Sequence, residues 1–262
     1  MSDQLTGPVL VLEFTGLGPQ AQFDAITEAI GAPALIRIDP VTGQRASFCT
    51  IEQQASAIQR QLAVEPVLIL AQCSAARLAL QLGRQLAETT PDRATAPQVI
   101  LFDPIGIDQD GLREEFGLLA GRLDADPEQA IAQLGDQPTG AAAAARCCEL
   151  LAALRVPLVQ AYGDDQDAEE LVDQLISRYA GWLRYLGAVI DCGPVAHPFP
   201  VSVLASAGAS INLAGLLVGH LDIETAQLTA TAGGLLEDPA TIEHVCRLAG
   251  ERSSVASAQP AG

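Results

Sequence analysis

The segment Pro66-Val-Leu-Ile-Leu-Ala-Gln-Cys-Ser-Ala-Ala-Arg-Leu-Ala-Leu80 constrains the fold more than any other. Val67 to Leu70 reads as a buried strand. It runs into small-x-Cys-x-small at Ala71-Gln72-Cys73-Ser74-Ala75, and a helical pattern leaves on the far side. A strand that turns directly into a helix lifts one side chain above a parallel sheet, as in the G-x-S-x-G elbow. Small flanking residues are needed because strand and helix pass close together there. Here the lifted residue is Cys73. Moving the frame to Ser74 would put Gln72 at the first small position. The competing reading is that Cys73 is a small buried residue ahead of an ordinary helix. On the elbow reading, the chemistry is acyl transfer through sulfur.

The neighbouring segments repeat a strand–helix rhythm. Strands are expected at Pro8–Phe14, Ala34–Ile38 and Gln98–Asp103, with a short amphipathic helix around Gln22–Ile30. Thr50 and Gln53 form a capping box that opens a helix toward Leu62, and the elbow helix runs to about Ala87. Alternation of this kind predicts a mostly parallel sheet flanked by helices. From Asp103 to Val156 the chain looks helical throughout, which predicts a helical lid over about 105–154. Strands are expected again at Val156–Tyr162, at Val189-Ile-Asp-Cys192 and at Ile223–Thr231. A helix is expected from Asp167 to about Leu186, and Asp238-Pro239 opens a last one to about Leu248. The organisation expected is a single domain over 1–252 with a disordered tail at 253–262.

Composition removes several function classes. The formal net charge of −18 argues against nucleic acid or an anionic membrane as a partner. Every basic residue is an arginine, so a Schiff-base lysine, lysine-anchored pyridoxal phosphate and a P-loop are all excluded. None of the cysteines makes a C-x-x-C pair, and adjacent Cys147-Cys148 is a poor metal or disulfide pattern, so no metal or other cofactor is expected. Val201–Leu221 is too polar for a membrane span, and no charged-then-apolar leader opens the chain. The expectation is a cytoplasmic protein with reduced thiols.

Taken in order, these parts resemble the α/β-hydrolase fold, and within it the thioesterases that serve nonribosomal peptide and polyketide assembly lines. The resemblance rests on the loop Phe14-Thr-Gly-Leu-Gly18 after an early strand, the elbow at Cys73, the Asp of Phe102-Asp103-Pro104 after the next strand, and the helical stretch behind it. It covers most of the chain, with Cys in place of the usual Ser. It implies an acyl thioester as substrate, on coenzyme A or a carrier protein, and hydrolysis, transacylation or cyclisation as outcome. It implies Cys73 as nucleophile, Asp103 as the acid that orients a histidine, and an oxyanion hole from the Ser74 backbone N–H with Gly16 or Leu17. A cysteine at a helix N-terminus is expected to have a lowered pKa.

The base has three alternatives. His197, in Gly193-Pro-Val-Ala-His-Pro-Phe-Pro200, follows a short strand and lies at a suitable distance along the chain. His220 is the second. The third is that no histidine serves, because Thr231–Pro239 resembles the family's final loop and the histidine position then falls near Ala232. His244 reads as a surface or packing residue, and Asp164 or Asp165 as a fallback acid or a helix N-terminus. A missing base favours transfer over hydrolysis, since water needs deprotonation more than a thiol or an amine does. It also supports a different class of function, a non-catalytic scaffold that binds a carrier protein or a small ligand. Carrier proteins are acidic, so docking one would need a local basic patch, for which Arg77 and Arg84 are the nearest candidates.

Overall fold

The computed structural model describes residues 5, 7–15, 23–43, 50–89, 96–163, 165–218 and 223–257, with 253–257 as backbone only. The chain splits into two compact units. One contains Met1–Asp39, Gln54–Gly106 and Pro194–Gly262; the other contains Pro40–Gln53 and Ile107–Gly193.

The first unit is built on a sheet. Its first half contains β1 (Val9–Leu12), α1 (Asp24–Ala29), β2 (Leu35–Ile38), β3 (Leu68–Gln72), α2 (Ala76–Thr89) and β4 (Gln98–Phe102). A helix spans Ile51–Gln61, its N-terminus held by Gln53 N–H donating to Thr50 Oγ1 at 3.2 Å, as the capping box predicts. The second half contains β5 (Val195–Ala196), β6 (Val201–Ala205), a short helix α3 (Leu213–Leu216), β7 (Leu217–Val218), β8 (Ile223–Gln227) and α4 (Pro239–Ser257). Six strands form one sheet in the order β2-β1-β3-β4-β6-β8, and β5 pairs with β7 separately. Every one of these pairings is parallel.

Alternation along the strands sends side chains to two cores. Val9, Val11, Leu68, Leu70, Ile100, Phe102 and Leu204 pack on one face with Phe23, which precedes α1, with Ile26 of α1, and with Val245 and Leu248 of α4. Val99 has the opposite parity and meets α2 so closely that a Cβ on Gly83 would lie 2.9 Å from its side chain. The central strands are buried on both sides, which is why they read as continuous apolar runs.

The second unit is helical: α5 (Gln109–Arg122), α6 (Pro127–Leu134), α7 (Gly140–Ala153), α8 (Arg155–Tyr162) and α9 (Gln166–Asp191). The Asp191 carboxylate at the end of α9 accepts from Gly140 N–H and Ala141 N–H, both at 2.7 Å, and so caps α7 from a neighbouring helix.

Four expectations are corrected. Val156–Tyr162 is helix, because Leu151, Leu154 and Leu158 continue a helical spacing and only one side of the segment is buried. Val189-Ile-Asp-Cys192 is the end of α9 and the residue after it. Leu183, Leu186 and Val189 stay on the buried side, and nothing breaks the helix before Asp191. The helical insertion therefore continues past 154 to Gly193, and the strand beside β4 is Val201–Ala205 instead. The last helix runs to Ser257 rather than ending near Leu248, so part of the tail expected to be disordered is helical. Among the described residues, no helix is long and apolar enough to cross a membrane. No group of three or more His, Cys, Asp or Glu among them is placed to hold a metal ion.

Candidate active site

The carboxyl ends of four adjacent parallel strands, β3, β4, β6 and β8, open onto a cleft of about 840 Å³. Ligands of open α/β sheets bind at this edge. The wall is made by Gln72 at the end of β3 and Cys73 after it, Asp103 after β4, Ser206 after β6, and Ala232 with Glu237 from the segment that follows β8.

The backbone at Cys73 is the local feature that makes this a site. Gln72 is extended at φ −117° and ψ 149°, and Ala76 is helical at φ −53° and ψ −45°. Cys73 makes the change of direction at φ 51°, in the left-handed region where a non-glycine residue is strained. This is the sharp strand-to-helix turn that the sequence predicts. Cys73 is half-buried and lines the cleft, and Ser74 beside it is buried.

Asp103 sits at a second strained corner, with φ 43°. Its backbone N–H donates to Leu204 O at 2.9 Å, and its Oδ1 accepts from Ser206 N–H at 2.7 Å. The carboxylate is thus pinned between the ends of β4 and β6. Its other oxygen, Oδ2, is buried and has no hydrogen-bond partner among the described residues. Burial first, and the Asp103 charge second, push the Cys73 thiol up to about 11. That reverses the expected lowering. Cys73 lies in a 3-10 turn ahead of α2, where desolvation outweighs the helix dipole.

The structure brings Cys73, Ser74 and Asp103 together at one sheet edge. It does not bring His197 there. His197 precedes β6, whereas the cleft lies beyond the carboxyl end of that strand, and the described lining does not include it. His197 is buried, with its ring edge-to-face on Phe199 at 6.4 Å. Ala232 and Gly233 line the cleft where the resembling loop would carry its histidine. His244 pairs with Glu224 at 3.0 Å, and Asp165 caps α9 by accepting from Ala168 N–H at 2.8 Å. Gly16, Leu17, Asp164 and His220 lie outside the described residues. The two arginines do not form a basic patch at the cleft. Arg77 is buried and donates to Gly215 O at 2.8 Å, and Arg84 pairs with Glu88 at 2.5 Å.

Sequence reasoning missed the wall after β6 and Glu237. The signal was present in Val201–Ala205 followed by Ser-Ala-Gly-Ala-Ser210, an apolar run ending in small residues like the one before Cys73.

No protein-family model matches the sequence, and no curated protein matches it. Solved structures do match. One is RedJ with a polyethylene glycol molecule bound in its active site, at 14% identity and a TM-score of 0.50 over 94% of this chain and 90% of that one. RedJ is described as a thioesterase from the prodiginine biosynthetic pathway in Streptomyces coelicolor. Another is AB3403, a four-domain nonribosomal peptide synthetase bound to AMP and glycine, at 13% identity and a TM-score of 0.52 over 97% of this chain and 20% of that one. At this identity the likeness is one of fold. The chain has the α/β-hydrolase fold that RedJ also has.

Proposed function

We propose that the protein is a thioesterase-like acyl transferase in which Cys73 takes an acyl group from a coenzyme A or carrier-bound thioester. The carrying observation is Cys73 itself, held at a positive φ on a strand-to-helix elbow above an 840 Å³ cleft. Strain of this kind persists only where the surroundings enforce it, and it gathers at functional sites.

The first step is thiol–thioester exchange. The Cys73 sulfur bonds to the acyl carbonyl carbon, the donor C–S bond breaks, and the thiol proton ends on the departing sulfur. No net proton is consumed or released by the exchange. In this reading the Ser74 N–H steadies the oxyanion. Hydrolysis of the acyl-enzyme is different, since water must lose a proton to become a competent nucleophile. With no histidine among the described lining residues, transfer to another acceptor is favoured over release to water.

A non-catalytic acyl-thioester-binding scaffold is the second reading. It is favoured by the raised Cys73 thiol and by Ala232 in the rim. Consumption of an acyl-N-acetylcysteamine thioester separates the two. Wild type is expected to turn over or become acylated, preferring the thioester to the matching oxygen ester, while Cys73→Ala loses activity by at least about 10³-fold. The absence of both turnover and acylation in wild type would establish the scaffold.

A further inference from the structure

We infer that, given the acyl-transfer reading above, the cleft selects neutral acyl chains and turns away those that end in a carboxylate, with Glu237 as the residue that sets this preference. The composition of the wall is the starting point. Ile105 is large and apolar yet 48% exposed, and it lines the cleft together with Ile211 after β6 and the buried Leu236. Much of the remaining described lining is small and neutral, as at Ser206–Ser210 and at Ala232 and Gly233. A Cβ on Gly208 or on Gly233 would meet nothing within 4 Å, so both stretches leave space open. A cleft with such walls takes the hydrocarbon part of a ligand and sorts ligands with a few polar groups.

The sorting here is by charge. The ionisable side chains of the described lining are Cys73, Asp103 and Glu237, with no arginine or histidine among them. The two carboxylates act differently. Asp103 is buried and held by Ser206 N–H, so it acts on the cleft through its field alone. That field reaches the reacting sulfur, since it is one of the two causes that raise the Cys73 thiol. Glu237 is exposed at the rim. Its backbone N–H donates to Gly234 O at 3.2 Å, and Asp238 beside it accepts from Thr241 N–H at 3.0 Å where α4 begins, so the carboxylate is carried on a fixed turn. Glu237 forms no side-chain hydrogen bond or ion pair among the described residues.

An acyl chain ending in a carboxylate brings one more negative charge into this cleft, where low-dielectric walls strengthen the repulsion and no described cation receives it. Its carboxylate would also lose water against Ile105 and Ile211 without gaining a donor from either. A hydrocarbon end incurs neither cost and gains apolar contact instead. At 0.01 M salt the screening length is about 30 Å, so the repulsion spans the cleft whichever wall the chain follows.

Two N-acetylcysteamine thioesters of equal acyl length, hexanoyl and 5-carboxypentanoyl, test the preference through rates of Cys73 acylation at pH 7 and low ionic strength. Wild type is expected to favour hexanoyl at least about tenfold, and Glu237→Gln, a near-isosteric change at an exposed site, to shrink that ratio at least about threefold. Glu251→Gln is the control. It makes the same charge change beside Gln98, Val201 and Ile223, at the amino ends of β4, β6 and β8, and should leave the ratio where it is. Equal rates for the two thioesters in wild type would overturn the inference. So would a ratio unmoved in Glu237→Gln, or one that shrinks as much in Glu251→Gln, which would be the diffuse repulsion of an acidic protein. A second arm needs no chemistry: ligand-observed NMR titration of the full chain with hexanamide and 5-carboxypentanamide, with hexanamide expected to bind more tightly and Glu237→Gln to narrow the difference. If neither thioester acylates the protein, the acyl-transfer reading fails, while the two amides still decide what the cleft prefers.

Discussion

Alkylation of Cys73 by iodoacetamide will accelerate about tenfold with each pH unit from pH 7 to pH 10, with no plateau. The thiolate is the nucleophile, and burial with the Asp103 charge holds the thiol up to about 11. At pH 7 only about one molecule in 10⁴ carries a thiolate there, and the fraction grows in proportion to hydroxide until the pKa is reached. An ordinary exposed thiol, with a pKa near 8.5, would level off before pH 9.5. The rate must be read at the Cys73 peptide, because Cys148 and Cys246 are also raised and Cys147 is pushed up to about 12. Asp103→Asn removes the second cause, so its Cys73 rate at pH 8 should exceed that of wild type. A plateau below pH 9 in wild type would show a thiol activated by its surroundings, and the account of the first acylation step would have to include a base.

The largest stability effect lies in the helical unit. Where α7 crosses α9, a Cβ on Gly187 would lie 2.6 Å from the backbone oxygen of Gly140, and one on Gly140 would lie 2.4 Å from that of Gly187. The obstacle is backbone on both sides, so no rotamer relieves it. Gly187→Val should cost about 3 kcal/mol, since inserted bulk in a tight contact forces the helices apart. In an unobstructed helix, removing a glycine stabilises by roughly 0.5–1 kcal/mol, so a net loss reports on the crossing itself. Gly193→Ala is the control, because a Cβ there meets nothing within 4 Å. Urea unfolding followed by circular dichroism gives both values. A Gly187→Val midpoint equal to the control's would mean that the helices do not pack as closely as described.

Much of the site was legible because its signals are local. The apolar run before Cys73 and the small residues around it predicted strand, turn and helix, and Cys73 takes the strained φ the turn requires. Thr50 with Gln53, and Asp238 before Pro239, predicted helix starts and provide the side-chain caps. The failures came where one local pattern fits two structures. Val156–Tyr162 is apolar enough for a strand but continues a helical stripe, and only packing in the helical unit decides between them. His197 shows a different limit. Its spacing along the chain was plausible, but in a parallel sheet the residues before β6 and the residues after it sit at opposite ends of the strand. The raised Cys73 thiol, and an Asp103 Oδ2 with no partner among the described residues, arise from tertiary burial, which no spacing encodes.

Acylation of Cys73 can be read directly. The most direct measurement is proteolysis and tandem mass spectrometry of wild-type protein after brief incubation with an acyl-N-acetylcysteamine thioester, quenched in acid. One acylated peptide spanning the elbow is expected, with the added mass on Cys73 and none on adjacent Ser74. An acyl group on Ser74 or on a cysteine away from the cleft, or an unmodified elbow peptide from protein that still consumes the thioester, would contradict it.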